Sequence, residues 1–339
     1  AHALNALGTV RSEEGDLAEA ARLHLEALAR YRRLEDAARI ADTLNRTANV
    51  RYAQGRLKLA LELHRESLVL YERIGHRFGA GIASYGIAAD LLALGELEEA
   101  EPLFRTARET FVELRNRVFA AETRRGLAEL EVARGELAAA RQGLEGALED
   151  LRSQPSSDIE RNVRLLIARI DLEEEAAADA ERDLRRYLAE RPAPLDADSE
   201  AALRDLLAQA LLEQGRLEEA RGAVRRALAL TERSQRHQLR LGVEITAARI
   251  TAAMGEEAPA IADLVGLVDR ARELDLASRR LEAELALAEV RRRSGGPAAG
   301  QAAFDAVARE AGARGLRLLV DKASFSGRRR PHARGGGPV

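Results

Sequence analysis

Seven glycines limit what this chain can fold into. Gly15, Gly55, Gly95, Gly135, Gly215, Gly255 and Gly295 stand 40 residues apart, except for one gap of 80 in which Glu175 takes the missing place. With 26 glycines among 339 residues, chance would give such a run on the order of 10⁻⁵ over all phases, so the chain is built from an internal repeat. Each glycine interrupts a stretch rich in Leu, Glu and Ala, such as LLALGELEEA at 91–100 or LLEQGRLEEA at 211–220. Inside one helix it would cost about 1 kcal/mol relative to alanine. Repeated at fixed spacing, it marks a boundary between two helices, because glycine adopts φ > 0 and ends a helix.

Two columns of small residues flank this boundary. Five residues after it stand Ala20, Ala60, Ala100, Ala140, Ala180, Ala220, Ala260 and Gly300. Seven before it stand Gly8 and then Ala48, Ala88, Ala128, Ala168, Ala208, Ala248 and Ala288. Small side chains at fixed places on two successive helices let the axes approach to roughly 8–10 Å. Each repeat is therefore expected to be a helical hairpin with helix A before the turn and helix B after it. Apolar stripes at i, i+3, i+4, i+7 run along both, for example Leu4, Leu7 and Val10 in the first helix A and Leu203, Leu206, Leu207 and Ala210 in the sixth. The sixth helix B carries Leu217, Ala220, Val224, Ala227 and Leu228. No hairpin buries its stripe alone, so neighbours must stack, and the expected architecture is a right-handed all-α solenoid of about eight repeats.

Composition agrees and narrows the functional classes. The sequence is 46% hydrophobic and 32% charged but only 3% aromatic, with no Trp, which suits helices. There is no Cys, which removes disulfides, thiolate metal sites and cysteine nucleophiles and leads us to expect a cytoplasmic protein. A net charge of −3 gives no general attraction to nucleic acid or anionic membrane. No apolar run approaches the ~18 residues of a membrane span. The chain contains no HExxH, no dinucleotide fingerprint and no nucleophile–base pair. SGGPAAG at 294–300 lacks the GK[ST] ending of a phosphate loop and falls at the eighth turn. His24 and His64 hold one helix B position in successive repeats and read as substitutes for an aromatic in the packing, not as metal ligands. The expectation is a non-enzyme without metal or cofactor.

The pattern of a small residue seven before the turn glycine, Ala five after, a large residue nine after (His24, His64, Phe104, Leu184) and a small one twelve after (Ala27, Ser67, Ala107, Ala147, Ala227) resembles the tetratricopeptide repeat. The resemblance covers about residues 1–311, with Pro192 in the proline place of repeat 5. A 40-residue period, with lengthened helices A such as LEDAARIADTLNRTA, is similar to the variant in kinesin light chains and bacterial signalling regulators. The usual aromatic in mid helix A is replaced, as by Arg11 and Arg51.

The array is expected to divide into repeats 1–4 (1–152), an irregular repeat 5 with loop-like flanks (153–200), repeats 6–8 (201–311), a capping helix (312–323) and a disordered basic tail (324–339). Repeat 5 lacks the glycine and has SQPSSDIE and RPAPLDADSE on either side, with Ser157 and Glu160 spaced as a capping box. Ala1 aligns several residues inside a helix A, so the chain is expected to belong to a longer protein.

The resemblance also implies that residues ten, six and three before each turn line a concave groove. In this sequence these include Asn5, Thr9 and Ser12; Asn45, Asn49 and Tyr52; Tyr85; Arg125 and Glu129; Arg169; Asp205 and Gln209; and Arg249. Spacing of i, i+4, i+7 puts each set on one helical face. Amides supply donor and acceptor to a peptide backbone, and tyrosines supply rigid contact area. Either these side chains grip a peptide or they are polar residues facing water, and the sequence leaves both open. The Lys/Asn/Arg clamp that some relatives use for a peptide C-terminus is not matched, since no Lys lines the groove. The expected function is a scaffold for a protein or peptide in the groove, forming the C-terminal interaction region of a larger bacterial signalling protein: a kinase, a signalling ATPase or a transcriptional regulator. The alternative is a self-assembling structural module. Nucleic acid is expected to bind, if at all, only through the basic tail, and no membrane contact is expected.

Overall fold

The computed structural model describes residues 1–190, 195–295 and 300–328. The chain is an all-α repeat solenoid with 17 helices among the described residues. Repeats 1 and 2 are α1 (His2–Glu13) with α2 (Leu17–Arg33) and α3 (Ala37–Ala53) with α4 (Leu57–Arg73). Repeats 3 and 4 are α5 (Arg77–Leu94) with α6 (Leu97–Glu113) and α7 (Arg117–Ala133) with α8 (Leu137–Ser153). Then follow α9 (Ser157–Glu173) with α10 (Ala177–Glu190), α11 (Ala197–Glu213) with α12 (Leu217–Thr231), and α13 (His237–Ala253) with α14 (Glu257–Glu273). Repeat 8 is α15 (Ala277–Gly295) with α16 (Gln301–Ala313), and α17 (Arg317–Arg328) follows it.

The columns do what their sizes demand. Ala20, Ala60, Ala100, Ala140, Ala180, Ala220 and Ala260 are wholly buried, as are Ala48, Ala88, Ala128 and Ala208. At Gly300 even a Cβ would stand 2.7 Å from the Ala288 carbonyl oxygen, so this place in repeat 8 has room for glycine and not for alanine. Gly15, Gly55, Gly95, Gly135, Gly215 and Gly255 all have φ between 73° and 93°. Glu175 has the same left-handed backbone at φ 61°, which explains how repeat 5 keeps its hairpin without a glycine. For a residue with a Cβ this conformation costs roughly 1–2 kcal/mol. Glu175 is exposed, so Glu175→Gly is expected to stabilise the protein by about 0.5–1 kcal/mol after glycine's larger loss of chain freedom. Urea melts of the two forms check this.

Several boundaries differ from the sequence reading. Gly295 is the last residue of α15 and not a turn; residues 296–299 lie outside the described residues. Helix α17 starts later than expected and runs through 324–328, which the sequence assigned to the tail. Ser156, not Ser157, caps α9, and its side chain makes no capping hydrogen bond. In α1 the buried residues are Asn5 and Gly8, while Leu7 and Val10 are 43% and 46% exposed; α1 packs on α2 and, more lightly, on α3. Core residues of α9 join clusters on both sides, Ile170 with repeat 4 and Ala168 with repeats 6 and 7. Pro192 lies outside the described residues.

A second layer of contacts closes the solenoid on itself. Gln235 Oε1 accepts from the Ala18 amide at 2.8 Å, Lys58 pairs with Asp275 at 2.6 Å, and Arg314 Nη1 donates to the Leu94 carbonyl at 2.9 Å. Leu97 lies 3.5 Å from the Cβ position of Gly315, as Leu276 does from that of Gly55. The paired residues are separated by a nearly constant 217–221 positions, five and a half repeats. After that distance the superhelix has completed a turn, and the loops that follow repeats 6, 7 and 8 seat on the hairpin turns of repeats 1, 2 and 3. The residue before each helix A shows the reason. In four of the five uncovered loops it is Asp36, His76, Asn116 or Asp196, each accepting a backbone N–H of the helix it starts, and in the fifth it is Ser156 without such a bond. In two of the three seam loops it is Leu276 and Leu316, 3% and 6% exposed, where burial replaces capping; in the third it is the exposed Arg236.

Candidate functional site

The expected groove residues divide into structural and presented sets. Asn5 and Asn45 are 7% and 8% exposed, so they sit in the wall and do not project from it. Asn5 Oδ1 accepts from His24 Nδ1 at 2.7 Å and its amide donates to Asp42 at 3.3 Å. Arg46 ties Asp42 (3.0 Å) to the Thr9 hydroxyl (3.0 Å). His24 lies against the bare Cα of Gly8, and burial lowers its pKa to about 4, so the ring is neutral at pH 7. Both histidines fill core positions at 1% exposure. Among the described residues no group of three His, Asp or Glu side chains could hold a metal.

Asn49 is exposed, and its Oδ1 accepts from His64 Nε2 at 3.2 Å. The other ring nitrogen is 2.6 Å from Asp90 Oδ2, and the second Asp90 oxygen has no partner. Asp90 is wholly buried, and burial raises its carboxyl above the usual range. His64 thus fixes Asn49 from behind, with the asparagine amide facing out.

Further along, Arg125 gathers three partners. Its guanidinium donates to the Tyr85 hydroxyl and to Glu122 at 2.7 Å and to Glu129 at 2.9 Å. The Tyr85 hydroxyl itself donates to Glu122, and its ring meets Phe104 edge-on at 5.6 Å. Burial opposes the Arg125 charge, but the surrounding carboxylates hold its pKa above the ordinary value. Tyr52 packs against the core cluster that holds Leu57, Leu241 and Leu276, and burial pushes its hydroxyl pKa up.

The seam brings the far half of the array to the same face. Tyr52 feels the charges of Glu129 and Arg125 from repeat 4 and of Arg279 from repeat 8, and Arg279 in turn feels Glu129 and Asp205. Arg279 donates to Glu282 at 2.6 Å, while Arg169 and Lys322 act on Glu282 at longer range. Lys322 is itself tied to Glu173 at 2.6 Å. Asp205 is 9% exposed, with its pKa pushed up to about 6 by burial. Charged and polar side chains of repeats 4, 6 and 8 are therefore within electrostatic reach of Tyr52 of repeat 2 and of one another.

Sequence reading missed Glu122, Arg279 and Glu282. Helix A is long enough to present a further turn, and an acidic residue recurs thirteen before the turn at Asp42, Glu122 and Glu282. That recurrence was the available signal.

A tetratricopeptide-repeat family profile matches residues 1–73, and a second of the same description matches residues 201–234. No curated protein matches the sequence. Among solved structures, a Rap protein complexed with competence and sporulation factor is similar with a TM-score of 0.63 and 15% identity, over 96% of this chain and 95% of that one. The apo form of RapI gives 0.51 at 14% identity, over 75% and 98%. A signal transduction ATPase with numerous domains and a tetratricopeptide repeat sensor, from Pyrococcus horikoshii, gives 0.54 at 12% identity, over 91% of this chain and 50% of that one. Likeness at such identities is one of fold.

Proposed function

From the premise that the chain is a tetratricopeptide-repeat array, we propose that it is a cytoplasmic, non-enzymatic module that holds a peptide or protein segment against its concave face. The observation that carries this reading is the groove's polar surface. Asn49 presents its amide from a fixed backing, and Tyr85, Glu122, Arg125 and Glu129 form a connected set beside it. Preorganised polar groups inside a concavity offer a ligand hydrogen bonds at little ordering cost. The Rap structure that resembles this chain over nearly its whole length is a complex with competence and sporulation factor, which supports a bound partner for a fold of this kind. The ATPase, in which a comparable array is half of the chain, supports a place in a larger signalling protein. We prefer this reading to self-assembly because the uncovered loops carry the polar caps Asp36, His76 and Asn116 where two of the three seam loops carry leucines.

A displayed library of random short peptides, selected on the wild-type chain, tests the proposal. The recovered peptide is expected to bind the variant Asn49→Ala/Glu129→Ala about tenfold more weakly, because two sets of polar contacts are lost. Both residues are at the surface, so the thermal midpoint should change little. Recovery of no peptide, or equal binding to the variant, overturns the proposal.

A further inference from the structure

We infer that the stripe Ala3, Leu7 and Val10 on α1 is a docking surface for one amphipathic helix of a partner, built like the array's own helices B and lying antiparallel to α1. This surface is separate from the groove and does not depend on the peptide-binding reading above.

Helix α1 has seven equivalents, the helices A of the later hairpins. In α1, Ala3 is exposed, and Leu7 and Val10 are 43% and 46% exposed. Their i, i+4, i+7 spacing puts them on one helical face. In all seven equivalents the residue in the place of Ala3, from Thr43 to Ala283, is wholly buried, and the one in the place of Val10, from Val50 to Val290, is at most 3% exposed. Thr47, Ile87, Leu207 and Leu287, in the place of Leu7, are at most 8% exposed. The preceding helix B packs on each of these helices, α2 on α3, α4 on α5 and so on to α14 on α15. A single exposed leucine is ordinary on a protein surface. A stripe that the same kind of element meets at every other repeat is a socket.

The internal precedents also define the occupant. Helices joined by loops as short as residues 34–36 run antiparallel, and the docked helix runs against α1 in the same way. Val50 shares a buried cluster with Leu17, Ala20 and Ala21 from the first two turns of α2, and Ala83 shares one with Tyr71 from the last turn of α4. The occupant therefore places small residues of its first turns over Val10 and a large side chain of its last turn over Ala3. Within the array Ala20 and Tyr31, Ala60 and Tyr71, and Ala100 and Phe111 keep this order at a spacing of 11 residues, each at most 6% exposed. At 3.6 residues per turn that spacing returns to the same helical face. A large side chain opposite a small one lets the two axes approach closely.

A synthetic peptide with the α2 sequence, residues 17–33, is the probe. A covalent staple across Leu25 and Ala29 holds it helical, because an isolated helix of this length is marginal in water. Both positions are exposed in α2, so the staple lies away from the contact. The peptide is expected to bind the full chain in fluorescence anisotropy, and Leu7→Arg with Val10→Arg should weaken it at least about tenfold, since buried apolar contacts are exchanged for charges. Ala20→Phe in the peptide should also cost about tenfold, by overpacking. The variant Asn49→Ala/Glu129→Ala should bind the peptide as the wild type does, which separates this face from the groove. Both arginines replace exposed side chains, so the thermal midpoint should hold. No binding, or equal binding to the arginine variant, overturns the docking surface and leaves the groove reading standing. A wild-type chain that self-associates in light scattering and is dispersed by the arginine variant overturns it too, because the occupant is then a second copy.

Discussion

Phe104→Ala is expected to lower the stability by about 3–5 kcal/mol, the usual range for removing a buried phenylalanine. Phe104 is 1% exposed and belongs to a core shared by repeats 2, 3, 4 and 8. Its ring edge occupies the space above Gly126 of the next helix A, where a Cβ would lie 2.5 Å from Cε1. With glycine on that side, no nearby side chain can swing in to fill the hole, so the loss should fall at the upper end. Urea unfolding gives the value, and a loss under about 1.5 kcal/mol would mean that the site collapses. The converse change, Gly126→Ala, overpacks the same contact and should cost about 1–3 kcal/mol. Combined with Phe104→Leu, part of that cost should return.

The second large effect concerns the seam. Leu276→Asp with Leu316→Asp is expected to part the two superhelical turns while the hairpins remain folded. Each leucine contributes roughly 1.5–3 kcal/mol by burial, and aspartate returns about 1 kcal/mol as a helix cap. A charge that stays in the closed seam carries a further desolvation cost. The polar contacts there, such as the Lys58–Asp275 pair at 74% and 64% side-chain exposure, add little. Small-angle scattering should show a larger radius of gyration with unchanged helical content by circular dichroism. An unchanged radius would mean that repeat-to-repeat packing alone sets the curvature. Because Arg279 follows Leu276 by less than one helical turn, opening the seam should also draw Arg279 away from Tyr52 and Glu129.

The candidate site was less legible than the fold. Positions counted back from the turn glycine locate Asn49, Tyr85, Arg125 and Glu129, of which the structure leaves Asn49 exposed and joins the other three in one hydrogen-bonded set. The same count picks Asn5 and Asn45, yet these amides are turned into the wall. Asn5 meets His24 and Asp42 there, and whether a helical position faces solvent or its neighbour depends on which side chains stand opposite. His64 shows the same dependence. Its sequence position marks it as packing, and it is packed against Gly86, but its contact with Asn49 gives it a role in presenting the groove. Repeat 5 is the opposite case. The loss of its glycine reads as a disruption, and the structure absorbs it by placing Glu175 in the left-handed conformation.

What the sequence alone determined is whatever repeats: the hairpin, its length, the small residues that set helix spacing and the glycines that turn the chain. Each needs only a residue's own size or backbone freedom, and each is stated eight times or nearly so. Tertiary structure decided what occurs once. The seam joins residues about 220 apart, and its leucines at 276 and 316 are visible only as departures from a capping column. The approach of repeat 8 to repeat 4 follows from it, since Arg279 meets the field of Glu129 only after the superhelix has completed its turn. Small rotations from repeat to repeat add up over five and a half repeats, and no single repeat contains the sum.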